Sequence, residues 1–230
     1  MKKVYVFGDS HSSMFNVAHR KGSLPEDKGI FKVSPEAVEL EGFEGFVDRS
    51  SGVPLAYSLA KHHDVIIKEL ESIPFKDGDE MWFVFGEIDV RFHIFYWHQV
   101  LEITLDESIE RVVSKYIAYV KMLRLDGYNI HIVSVVPPQP NDSPFFNDPT
   151  LEILSPVRGK GITVSDRVYM TDTLNKRLEE ECDKNGIPFR DVHPYLVDPA
   201  TRCNVPEMTR DGMHYYYIGD MIAEEFGLWK

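Results

Sequence analysis

The chain has 230 residues, 43% of them hydrophobic, and a formal net charge of −12. That length and apolar content suit one α/β domain with a full core. The acidity argues against a nucleic-acid partner or an anionic membrane surface, both of which need clustered Lys and Arg. No run approaches the roughly 18 apolar residues of a membrane span. Met1-Lys2-Lys3 leads only into Val4–Phe7, too short for the apolar part of a signal sequence. Cys182 and Cys203 lack metal-ligand spacing and read as reduced thiols of a cytoplasmic protein.

In chain order, Val4–Phe7 is an apolar, β-branched and aromatic run closed by Gly8, the pattern of a buried parallel strand. Residues 20–45 read as a loop or small hairpin. Gly45–Asp48 is a second short strand leading into Arg49-Ser50-Ser51-Gly52. Pro54 suits a first helical turn, and Leu55, Leu59, Ile66, Ile67 and Leu70 are spaced for a helix over 55–70. Asp77-Gly78-Asp79 turns into Met81–Phe85, the strongest strand, closed by Gly86. Glu87–Tyr96 reads as a loop. Asp106 is a candidate cap for a helix through Leu125, ended at Asp126-Gly127. Ile130–Val136 is a strand broken by Pro137-Pro138-Gln139-Pro140, which opens a long loop to about Ser165. A helix over Val168–Asn185 stops at Gly186, Pro188–Val192 is a last strand, 193–213 is loop, and Tyr217–Trp229 is a final helix.

Five short strands alternating with helices predict an α/β architecture with a five-stranded parallel sheet. Ligand sites in such sheets lie beyond the carboxyl ends of the strands. Gly8-Asp9-Ser10, Ser50-Ser51-Gly52 and Gly86-Glu87-Ile88-Asp89 all sit at strand ends, so three polar, glycine-bearing exits meet on one edge.

Ser10 is placed either to cap the following helix or to act as a nucleophile whose own N–H donates to an oxyanion. His214 is either structural or a base. Asp211, three residues before it, can orient the imidazole from the same turn. Gly52 is either a strand-to-helix turn or a second oxyanion donor where a side chain would block the substrate. Ser10, His214 and Asp211 together supply nucleophile, base and orienting carboxylate.

These blocks resemble the SGNH, or GDSL-type, hydrolase superfamily. Gly8-Asp9-Ser10 matches its first block, Ser51-Gly52 its second and Asp211-Gly212-Met213-His214 its last, spanning residues 8–214. The resemblance implies a flavodoxin-like three-layer sandwich, Ser10 as nucleophile, Gly52 as oxyanion donor, and esterase, lipase or acetyltransferase chemistry. The third block departs from the pattern. Gly86-Glu87-Ile88-Asp89 stands where the family has Gly-x-Asn-Asp, and Ile88 cannot donate to an oxyanion. Losing one such donor costs about 3–4 kcal/mol in a typical hydrolase. Arg91 is the candidate replacement. If the strand extends, Glu87, Asp89 and Arg91 share a face; the alternative for Arg91 is a salt bridge to Glu87 or Asp89. His93 is a further polar neighbour.

Other residues keep two readings. Asp9 bonds backbone N–H groups of its turn. His11 is an exposed helix residue or a specificity contact, with the exposed reading favoured. Phe92, Phe95, Tyr96 and Trp97 are core packing or a stacking platform. The 137–165 loop, with Phe145, Phe146 and Arg158, is long enough to be a lid.

The sequence therefore predicts a serine ester hydrolase that removes a small acyl group from a small-molecule or carbohydrate ester. It needs no cofactor, and it has no nucleic-acid or membrane partner. Three alternatives stand beside it: an acyltransferase on the same triad, a non-catalytic binding domain favoured by Ile88, and a metal-dependent phosphoesterase using Asp9, His11, Glu87, Asp89 and His214.

Overall fold

Residues 4–15, 43–46, 55–141 and 161–226 are described by a computed structural model. Five strands are present: β1 (Val4–Gly8), β2 (Phe43–Phe46), β3 (Glu80–Val84), β4 (Ile130–Val133) and a two-residue β5 (Phe189–Arg190). Between and after them come α1 (His63–Ser72), α2 (Ile94–Val100), α3 (Leu105–Leu125), α4 (Val164–Asn185) and α5 (Gly219–Glu225). The strands run parallel in the order β2-β1-β3-β4-β5. Strand addition thus reverses beside β1, and the crevice between the ends of β1 and β3 is a topological switch point.

Both faces of the sheet are covered, which is why its strands read as unbroken apolar runs. Phe7, Met81, Phe83 and Ile132 point to one core, filled by Leu70 of α1, Val112 and Tyr116 of α3, and Leu174 of α4. Val4, Val6, Trp82 and Val133 point to a second core with Met14, Phe15, Tyr215 and Ile222.

The α/β class and parallel sheet agree with the sequence reading; several boundaries do not. The second strand lies at Phe43–Phe46, two residues early, because Val4 pairs with Phe43. Residues 55–72 begin as a 3-10 helix, Ala56–His62, before α1. Thr104, not Asp106, caps α3: its hydroxyl accepts from Glu107 N at 3.1 Å, and Glu107 accepts from Thr104 N at 2.7 Å, a capping box. Thr163 and Asp166 start α4 in the same way, four residues before the predicted start. The Glu87–Tyr96 segment is helical rather than a loop: a π-helical turn, Asp89–His93, runs into α2. Its signal is Val90 and Ile94, four apart and both buried. Pro188–Val192 contracts to β5, and the last described helix is α5. Phe145, Phe146 and Arg158 lie outside the described residues, as do residues 142–160 of the 137–165 loop; of its described ends, the last residues belong to the start of α4.

Candidate active site

Gly8 lets β1 close on β3. A Cβ there would sit 2.3 Å from the Val84 carbonyl oxygen, whereas glycine allows Asp9 N–H to donate to that oxygen at 3.0 Å. The chain then turns into a 3-10 helix, Ser10–Phe15. Ser12 N–H donates back to Asp9 O, and Asp9 Oδ1 accepts from His11 N at 2.9 Å. Ser10 is left half-buried at the tip of the turn, beyond the carboxyl end of β1.

The other half of the site comes from the loop before α5. Thr209 and Tyr215 form an antiparallel bridge, and Arg210 N donates to His214 O at 2.8 Å. Inside that loop Asp211 Oδ1 accepts from the backbone N–H of Met213 (2.9 Å) and His214 (2.7 Å). Gly212, at φ +79°, supplies the left-handed conformation the turn requires. Two contacts fasten this loop to the first turn: Arg210 Nη2 donates to Ser13 Oγ at 3.0 Å, and Ile218 N to Met14 O at 2.8 Å.

Residues 10 and 214 therefore meet. His214 Nε2 lies 3.0 Å from Ser10 Oγ, and His214 Nδ1 lies 2.7 Å from Asp211 Oδ2. Partial burial opposes ionisation of Asp211, but hydrogen bonds from the His214 ring and the backbone outweigh it and hold the carboxyl well below the usual range. An ionised Asp211 keeps Nδ1–H as the donor, so Nε2 presents its lone pair to the hydroxyl. The arrangement can draw a proton from Ser10 and stabilise the imidazolium that forms.

The third block is placed differently from the sequence expectation. Because residues 87–100 are helical, Glu87, Asp89 and Arg91 do not share a face. Glu87 and Arg91, four apart, do: Arg91 Nε donates to Glu87 Oε1 at 2.8 Å, and Nη2 bonds Glu87 Oε2. The salt-bridge reading of Arg91 is what the geometry shows. Burial works against the Glu87 carboxylate, yet the Arg91 charge and His11 hold it well below its ordinary range. Asp89 turns into the core and accepts from Ala56 N at 2.9 Å. Burial pushes its carboxyl up to about 7, against the backbone donors that lower it. Burial lowers the proton affinity of the His93 ring, whose Nδ1 has no hydrogen-bond partner among the described residues. Gly52 lies outside the described residues.

His11 overturns the favoured expectation. It is 2% exposed, with Nε2 3.0 Å from Glu87 Oε2 and 3.2 Å from Arg91 Nη2, and its ring stacks on His214. The following five-residue block Ser12-Ser13-Met14-Phe15-Asn16 gives no periodic signal, so sequence offered little to find it. Asp9 bonds the His11 N–H as read, and burial with the neighbouring Glu87 charge pushes its carboxyl up to about 8. Phe95 is buried, while Phe92, Tyr96 and Trp97 pack against the core, so the aromatic run is packing. Of the five residues weighed as metal ligands, His11 bonds Glu87, Asp9 accepts from the His11 N–H, and Asp89 and His214 are engaged by Ala56 N and Asp211. Among the described residues no three His, Cys, Asp or Glu side chains group as a metal site, and no helix is long and apolar enough to cross a membrane. Cys182 and Cys203 are free and buried.

No family profile matches the sequence, and no curated protein matches it. Solved structures do match. A GDSL-like lipase from Bacteroides thetaiotaomicron aligns over 97% of this chain and 84% of its own, at 16% identity and a TM-score of 0.56. An acetyl xylan esterase, AlAXEase, aligns over 99% of this chain and 100% of its own, at 13% identity and a TM-score of 0.53. The fold is the one this GDSL-like lipase and this acetyl xylan esterase have.

Proposed function

We propose that this chain is a serine ester hydrolase, built as a single flavodoxin-like three-layer domain. Ser10 Oγ attacks the ester carbonyl as His214 Nε2 takes its proton, and Asp211 holds His214 in the required tautomer. The alkoxide leaves with the proton from His214, and water, activated by the same base, releases the acyl group from Ser10. The Ser10 and Gly52 N–H groups receive the oxyanion. Arg91, kept on this edge by Glu87, is the group that stands in for the missing asparagine.

The observation that carries this reading is the unbroken hydrogen-bonded line from Ser10 through His214 to Asp211, at 3.0 and 2.7 Å. A small acyl group on a polar or carbohydrate alcohol is the substrate class we favour. The acidic surface supports it, as does the likeness in fold to an acetyl xylan esterase. The cytoplasm, where buried free thiols persist, is the compartment we favour. Hydrolysis of a short-chain aryl acetate by the purified protein, compared with Ser10→Ala, tests the mechanism. The wild-type protein should turn over and the variant should not; equal rates would sink the serine mechanism.

A further inference from the structure

Asp211 and Ser10 fix the two nitrogens of His214 but leave its ring faces to other neighbours. One face meets His11, with ring centroids 5.1 Å apart and planes 29° from parallel. His11 is itself clamped. Its Nε2 and Arg91 Nη2 both converge on Glu87 Oε2, which accepts from each. That shared acceptor assigns the Nε2–H tautomer to His11. Its Nδ1 is buried and has no hydrogen-bond partner among the described residues, so a proton added there would meet no acceptor.

The charged and titratable groups around His11 are Glu87 and Arg91 from the turn after β3, Asp9 from its own turn, and His214 from the C-terminal loop. Glu87 is already matched by Arg91, and Asp9, buried beside Glu87, favours its neutral form. Nothing in this set is left to balance a second cation. His214 becomes an imidazolium during proton transfer, and a charged ring stacked on it would oppose that step. A neutral ring face does not.

We propose that His11 is a positioning residue, a neutral ring clamped by Glu87 and Arg91 against which the base His214 is stacked. The inference rests on the reading of Ser10, His214 and Asp211 given above. It assigns a task to the Glu87–Arg91 pair beyond the oxyanion: the pair holds the surface that aims the base.

Two measurements test it. The first compares His11→Ala and His11→Phe on an aryl acetate. Removing the ring should lower kcat by roughly 10- to 100-fold, the scale of a misaligned base, while KM stays within about twofold. The flat, non-titrating ring of Phe should recover most of that loss. Equal losses in both variants, or an Ala variant as active as wild type, would overturn the proposal. The second uses the wild-type protein and so does not depend on a variant folding. Histidine ring nitrogen NMR across the acid limb of the kcat/KM profile should show His11 as the neutral Nε2–H tautomer throughout. Protonation of His11 at or above that limb would overturn it as well. The parent reading fails separately: turnover that survives Ser10→Ala removes the serine mechanism, whereas a silent Ser10→Ala beside an unaffected His11→Ala removes only this inference.

Discussion

Glu80, His131 and Arg190 lie together on β3, β4 and β5; Glu87, His11 and Arg91 lie together beyond the ends of β3 and β1. Both clusters bury a carboxylate with an imidazole and a guanidinium, and they are finished differently. Glu80 takes Trp82 Nε1 at 2.8 Å and Arg190 Nη2 at 3.1 Å on both oxygens. His131 accepts from Arg190 Nε at Nδ1 (3.1 Å) and meets Asn129 Oδ1 at Nε2 (3.3 Å). The Arg190 guanidinium stands over the Trp82 and Phe226 rings. In the second cluster His11 Nδ1 and the nearby Asp89 Oδ1 have no hydrogen-bond partner among the described residues, and two neighbouring carboxyls are pushed up to about 8 and about 7. A completed buried network fixes how strands meet. An incomplete one, with displaced proton affinities, is typical of a place where chemistry is done.

The largest expected effect lies in the line this second cluster supports. Asp211→Asn should lower kcat on an aryl ester by roughly 10³- to 10⁴-fold, because an amide no longer enforces the productive tautomer. Thermal melting should fall only slightly, because residue 211 is exposed and an asparagine keeps an oxygen for the Met213 and His214 N–H groups. A variant that keeps its activity would break the assignment of His214 as base.

The next test sets the two glutamates against each other. Glu80→Ala leaves Arg190 without its carboxylate in a buried site and should cost about 3–5 kcal/mol in urea unfolding. The activity of the folded fraction should be unchanged. Glu87→Gln keeps the shape and one acceptor oxygen for Arg91, so it should lose less stability and more turnover. The same ranking of both variants in stability and in activity would erase the distinction between the clusters.

The sequence makes the site more legible than the segment beside it. Gly8-Asp9-Ser10 and Asp211-Gly212-Met213-His214 can be read directly because each needs only a local turn, and the parallel order of strands brings the two turns to one edge. The strands are legible because burial on both faces leaves continuous apolar runs. Residues 87–96 read as a loop because charged and aliphatic residues alternate at their start with no helical period, and only burial of Val90 and Ile94 decides for a helix. That change of element turns Asp89 inward and pairs Glu87 with Arg91. Burial of His11 is illegible for a related reason: it depends on three groups from distant segments converging on one ring.

Proton affinity gives a third contrast. In the folded chain Asp9 stays protonated up to about 8, whereas an unfolded aspartate ionises near about 4. Between those pH values the folded state holds a proton that the unfolded state has released. Stability is therefore fullest below the lower value and falls as pH rises toward the upper one, by up to about 1.4 kcal/mol per pH unit. Asp89 adds a decline of the same sign that ends near about 7. Asp211 and Glu87, both held low, act oppositely and lose their contribution only as pH falls through the acid range. Asp9→Asn retains an oxygen for the His11 N–H and should flatten the decline from pH 4 to 8 in urea titrations. An unchanged slope would mean that Asp9 is ionised in the folded protein.

The smallest effect makes the completed cluster more like the incomplete one. Asn129 Oδ1 is a partner of His131 Nε2, and Asn129 Nδ2 donates to Asp79 O at 2.9 Å. Asn129→Ala removes both contacts at the edge of the sheet, and should destabilise the fold by about 1–2 kcal/mol. Ester turnover by the folded protein should be unaffected, because no contact of this network reaches Ser10 or His214. The outcome separates two ideas of what incompleteness does. If loss of that contact at His131 changes only stability, then the number of partners around an imidazole does not by itself decide function. His11 would then owe its role to the ring stacked against it.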